Sequence, residues 1–124
     1  VTAHDLIKNH IDKPLVIVRT EELASHAIDR IRKYKISQIP VIDTNGFVGS
    51  LEDVDLFNAF VSNSNVADTP IKDLMRKPYP IVSLQTTVEE VAKLITKDNN
   101  AVLVDLGNGK HHIITKYDII NNIK

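Results

Sequence analysis

Thr115 and Asp118 place a hydroxyl and a carboxylate three residues apart, directly after the apolar run Ile113-Ile114 and at the start of a helix-like segment. Such a pair has two uses. The hydroxyl can take free N–H groups at a helix start while the carboxylate suits the positive end of the dipole, or both can serve a ligand. An earlier stretch, Val48 to Phe57, repeats the arrangement: Gly46 precedes Asp55 by nine residues, as Gly109 precedes Asp118. There the position matching Thr115 is Glu52, with Asp53 beside it. The recurrence favours function over capping alone, and it makes the chain one unit used twice.

No catalytic constellation accompanies these pairs. The histidines are His4, His10, His26, His111 and His112; without cysteine or H-E-x-x-H spacing they suggest no metal site, and His111-His112 reads as a polar strand edge. Ser37, Ser50 and Thr115 lack a histidine at triad-like spacing. Gly46, Gly49, Gly107 and Gly109 suit hairpin turns better than a phosphate cradle. Fifteen basic against sixteen acidic residues give a formal net charge of -1, so there is no bulk field for nucleic acid or an anionic membrane. The absence of cysteine excludes a disulfide scaffold and is compatible with a cytoplasmic location. No apolar run reaches membrane-spanning length. The first residue is Val, not Met, which suggests a piece of something longer.

The elements that must position the pairs follow from periodicity and turn residues. Pro14 releases Leu15-Val16-Ile17-Val18 as a short strand. Thr20-Glu21-Glu22 opens a helix with Leu23, Ala27, Ile28, Ile31 and Tyr34 on one face. Residues 36–42 and 47–51 flank the turn Asp43-Thr44-Asn45-Gly46 as a hairpin, and residues 53–61 form a second helix. The order recurs: Ile81-Val82-Ser83 as strand, Thr86-Thr87 opening a helix through Ile95, a hairpin around Gly107-Asn108-Gly109, and a closing helix from Tyr117. The expected fold is α+β: two pseudo-symmetric β-α-β-β-α motifs packed sheet to sheet around a shared core. Residues 1–61 are the first motif, 62–66 the linker and 67–124 the second.

This order, with Gly49-Ser50 running into Asp55-Leu56-Phe57 and Ile113-Ile114-Thr115-Lys116-Tyr117-Asp118, resembles a tandem of CBS domains over essentially the whole chain. More narrowly, Lys13-Pro14-Leu15, Ile39-Pro40-Val41-Ile42-Asp43 and His112 to Asp118 resemble the C-terminal regulatory region of cystathionine beta-synthase. That likeness implies a pyridoxal-phosphate catalytic part preceding Val1 and no cofactor in this part of the chain. The family resemblance implies that Thr115 and Asp118 bind an adenosyl compound, with one carboxylate accepting from both ribose hydroxyls. It implies an adenine slot lined by Pro14, Leu15, Ser37, Gln38 and Ile39, with Ile113 and Ile114 as its apolar floor. The weaker second cleft would use Glu52, Asp55, Tyr79, Pro80, Asn99 and Asn100, Glu52 repelling a phosphate.

The expected function is therefore regulatory: sensing S-adenosylmethionine or AMP, ADP or ATP and controlling an attached enzyme. The alternative is a structural dimerisation module without a small-molecule ligand. Ile28, Leu56, Phe57, Phe60, Ile119, Ile120 and Ile123 would supply the apolar seam of a homodimer.

Overall fold

Two three-stranded sheets with the same strand logic carry the chain, and a computed structural model describes residues 1–123. In the first sheet, Val18–Arg19 (β1) runs parallel to Gln38–Asp43 (β2), which pairs antiparallel with Gly46–Glu52 (β3). In the second, Ile81–Ser83 (β4) runs parallel to Ala101–Gly107 (β5), which pairs antiparallel with Lys110–Thr115 (β6). Ala24–Tyr34 (α2) and Val88–Leu94 (α4) supply the crossovers, and Asp53–Ser62 (α3) and Lys116–Ile120 (α5) follow the hairpins. A short helix, Ala3–Ile7 (α1), precedes the first sheet, and two 3-10 turns, Val66–Asp68 and Ile71–Asp73, precede the second. Both halves thus show the β-α-β-β-α order.

The hairpins form where their turn residues demand. Asn108 and Gly109 both take positive φ, 54° and 76°, the left-handed pair that matches the twist of a two-residue hairpin loop. In the first hairpin Asp43 Oδ1 accepts from the Asn45 N–H at 2.7 Å, closing the turn before Gly46.

Two compact units arise: Val16–Pro78, and Val1–Leu15 together with the chain from Tyr79 onward. The segment opening each half therefore packs with the other half's sheet. α1 lies on α4, α5 and β6, with the Ala3 N–H donating to the Thr86 carbonyl at 2.8 Å. In the other unit the chain after α3 returns to β3, where Ser50 and Arg76 exchange backbone bonds of 3.0 and 2.8 Å.

Each unit has its own apolar cluster. Val18, Ala24, Ala27, Ile39, Val41, Leu51, Leu56 and Ile71 fill one. Ala3, Leu6, Ile7, Val91, Val102, Val104 and Ile114 fill the other. Leu56, expected in an intersubunit seam, is core, and Ile28 and Ile119 pack against the clusters.

Three expectations need correction. Only Val18 and Arg19 of the stretch from Leu15 pair as strand. Helix α2 begins at Ala24 and not near Thr20, because the backbone of residues 20–24 is bonded to residues 69–72: the Thr20 and Glu22 carbonyls accept the Lys72 and Ile71 N–H groups at 3.1 and 2.9 Å, and the Ala24 N–H donates to the Thr69 carbonyl at 2.8 Å. Those bonds keep residues 20–23 out of the helix, with Leu23 bridged to Pro70. Tyr34 ends α2 half exposed instead of joining its buried face.

Candidate functional site

Asp118 occupies the third position of α5, and its Oδ2 accepts the Thr115 N–H at 2.8 Å. Thr115 Oγ1 in turn accepts the Tyr117 N–H at 3.3 Å. Capping is therefore a real part of what these residues do. Asp55 repeats it on α3, accepting the Glu52 N–H at 3.1 Å, and Asp5 repeats it on α1, accepting the Thr2 N–H at 2.9 Å. The Thr2 N–H holds the Asp5 carboxyl below the usual carboxylate range.

The second oxygen distinguishes the two motif carboxylates. Asp118 Oδ1 lies 3.2 Å from His10 Nε2, in the turn after α1. Asp55 Oδ1 accepts from Arg76 Nε at 2.9 Å and Nη2 at 2.7 Å. In both units the partner belongs to the segment that opens the other half of the sequence. The two contacts differ in strength, since a guanidinium giving two short bonds is fully charged, whereas an imidazole gives one longer bond.

His112 completes the group around Asp118. It is buried, contrary to the expectation of a polar strand edge. Its Nδ1 accepts the Ile113 N–H at 2.8 Å, which leaves Nε2–H to donate to the His10 carbonyl at 2.8 Å. The two rings lie 4.7 Å apart, and His10 Nδ1 is 3.4 Å from His112 Nε2. In the tautomer with its proton on Nε2, His10 donates to Asp118 Oδ1. His112 thus holds the His10 segment at the carboxylate. Sequence reading missed His10 and Arg76 because each lies far along the chain from its partner.

The remaining expected residues fall as follows. Pro14, Leu15, Tyr79, Pro80, Asn99, Asn100, Ile113 and Ile114 belong to the unit that holds Thr115 and Asp118. Pro80 accepts the Leu103 N–H at 2.8 Å, and Asn99 Nδ2 donates to the Leu94 carbonyl at 2.6 Å. The Ala101–Thr115 register sets Asn100 beside the start of α5. Ser37, Gln38 and Ile39 share a unit with Glu52 and Asp55. There Gln38 pairs with Glu52, Ile39 with Leu51, and the Ser37 carbonyl accepts the Asp53 N–H at 2.9 Å.

Gly49 makes room for the Arg76 segment. A Cβ there would lie 2.5 Å from Met75 Sδ and 2.9 Å from the Arg76 carbonyl. Ser50 Oγ fixes the next step by donating to the Lys77 carbonyl at 2.7 Å.

A duplicated β-α-β-β-α order with a capped carboxylate after each hairpin is matched by the CBS-domain family model at residues 7–62 and again at 71–124. The chain belongs to the CBS-domain family. Its two CBS copies align with solved tandem structures. The CBS-domain containing protein ATU1752 from Agrobacterium tumefaciens superposes with a TM-score of 0.83 at 19% identity, covering 97% of this chain and 91% of that one. The CBS-pair protein CBSX2 from Arabidopsis thaliana gives 0.73 at 26% identity, covering 97% and 92%. CBSX2 in complex with AMP gives 0.70 at 24%, covering 97% and 93%. No curated protein matches the chain. These matches establish a CBS pair and do not extend to the narrower likeness to cystathionine beta-synthase. Among the described residues of this pair, no helix is long and apolar enough to cross a membrane.

Proposed function

We propose that this CBS pair is a regulatory module in which Asp118 and Thr115 bind the ribose of an adenosyl compound. The observation that carries the reading is the division of labour within Asp118. One oxygen is anchored to the start of α5, which fixes the carboxylate's direction, and the other faces a side chain from a different element. A carboxylate held this way can accept two vicinal hydroxyls at little cost in ordering. Pro14, Leu15, Ile113 and Ile114, in the same unit, would supply apolar contacts. CBSX2 has been solved in complex with AMP, in a structure 24% identical to this chain.

The effector would be S-adenosylmethionine or an adenine nucleotide, and the controlled partner an attached enzyme. Cystathionine beta-synthase is our choice of that enzyme, on the likeness of residues 13–15, 39–43 and 112–118; its pyridoxal phosphate would sit outside this module. The repeats would be 1–61 and 67–124, joined by 62–66. Calorimetric titration with S-adenosylmethionine, AMP, ADP and ATP tests the reading: saturable binding of at least one is expected, and silence with all four contradicts it.

A second reading, a dimerisation module without ligand, is favoured by one observation. Phe57, Phe60, Val61, Ile120 and Ile123 are all more than half exposed. Persistence of a dimer together with failure of every titration would select it.

A further inference from the structure

Both motif carboxylates have an internal partner, and the partners are unequal. Asp55 Oδ2 is committed to the Glu52 N–H, so Oδ1 is the oxygen left to turn toward a ligand, and Arg76 takes it with two N–H groups. Asp118 has the same division, but its Oδ1 meets only one ring nitrogen of His10 among the bonds described, at 3.2 Å. A ribose approaching either carboxylate must exchange with that partner. Exchange with the imidazole gives up one hydrogen bond of 3.2 Å. Exchange with the guanidinium gives up two bonds of 2.9 and 2.7 Å in a partly buried ion pair, with side chains 36% and 17% exposed.

We infer that Arg76 is the residue that sets the order of the two sites: it occupies the Asp55 carboxylate in place of ribose hydroxyls and confines adenosyl binding to Asp118. The inference rests on reading both aspartates as ribose-binding groups. Arg76 is well placed to act as an internal occupant. Its backbone is pinned to Ser50 by the two reciprocal bonds, Lys77 is held by Ser50 Oγ, and Gly49 lets this segment lie against β3. The guanidinium is thereby delivered to Asp55 at small entropic cost, and it stays charged across the accessible pH range. Selection between the clefts then follows from the side chain at position 76 as well as from Glu52, whose charge the sequence alone would have made responsible.

The test uses adenosine, which has ribose and base but no phosphate that Arg76 could attract. Calorimetric stoichiometry is measured for the unaltered protein, Arg76→Ala, Arg76→Met and Asp118→Asn. Met keeps length and apolar packing without an N–H donor, and the backbone bonds to Ser50 do not depend on either side chain. One site per chain in the unaltered protein and two in the Arg76 variants is the expected result. A gain from none to one in those variants would keep Arg76 as the occupant of Asp55 but overturn the confinement of binding to Asp118. An unchanged number of sites, loss of binding in both Arg76 variants, or two sites already present in the unaltered protein would overturn the inference. Loss of binding in Asp118→Asn with no gain in the Arg76 variants would overturn it while leaving the Asp118 reading intact.

Discussion

Asp5, Asp55 and Asp118 do the same local work, each closing the first turn of a helix from its third position. Among the described residues, Asp55 and Asp118 also meet a side chain from a distant segment, and that contact separates a cap from a candidate site. A cap was therefore legible in the residue types, whereas the partners His10 and Arg76 were not, since each lies in a segment outside the motif it serves. Glu22 gives a pH prediction at the same scale. The Arg30 guanidinium first, then the Arg19 N–H, holds its carboxyl below the ordinary 4.5 against the opposing effect of burial. A depressed folded-state value adds stability above the unfolded value and loses it as pH falls through the folded one. Glu22→Gln should cost about 1 kcal/mol at pH 7, and the difference should shrink toward pH 3. Urea unfolding at the two pH values measures it, and an equal difference at both would contradict the assignment.

Hairpins and helices followed from turn chemistry because Asn45-Gly46 and Asn108-Gly109 dictate local backbone with little help from the rest of the fold. Helix α2 starts later than its residue types suggest for a tertiary reason: the carbonyls of Thr20 and Glu22 are taken by the Lys72 and Ile71 N–H groups instead of by a helical turn. Its far end carries a further cost. Lys35 ends α2 in the left-handed region, φ 53° and ψ 50°, where a side chain is disfavoured. Lys35→Gly should raise stability by about 0.5–1 kcal/mol, read from the urea midpoint; a loss of stability would show that the lysine side chain has an unrecognised role. Gly49→Ala should act in the opposite sense. The added carbon meets the backbone at Arg76, so the variant should lose about 1–3 kcal/mol. Unchanged thermal unfolding would mean that the segment can move away from β3 without penalty.

At the scale of the whole molecule, the repeat was visible in offsets between matched turns, but the sharing of opening segments between the halves was not. Periodicity reports which face of an element is apolar, not which sheet covers it. Thus α1 joins the unit of β4, β5 and β6, and the Arg76 segment joins that of β1, β2 and β3. The exposed Phe57, Phe60, Ile120 and Ile123 lead to a prediction of assembly. Light scattering at micromolar concentration should give twice the 13.9 kDa chain mass, and a monomer mass would contradict it. The central claim concerns Asp118 itself. Because the residue also caps α5, the decisive comparison uses Asp118→Asn, whose amide oxygen can still accept the Thr115 N–H, alongside Asp118→Ala and Asp55→Ala. Titration with whichever adenosyl compound binds the unaltered protein should show affinity reduced at least about tenfold in both Asp118 variants, with helix content by circular dichroism unchanged in the Asn variant. Asp55→Ala should retain most of the binding. Destruction of binding by Asp55→Ala with Asp118→Asn unaffected would place the ligand at the other carboxylate.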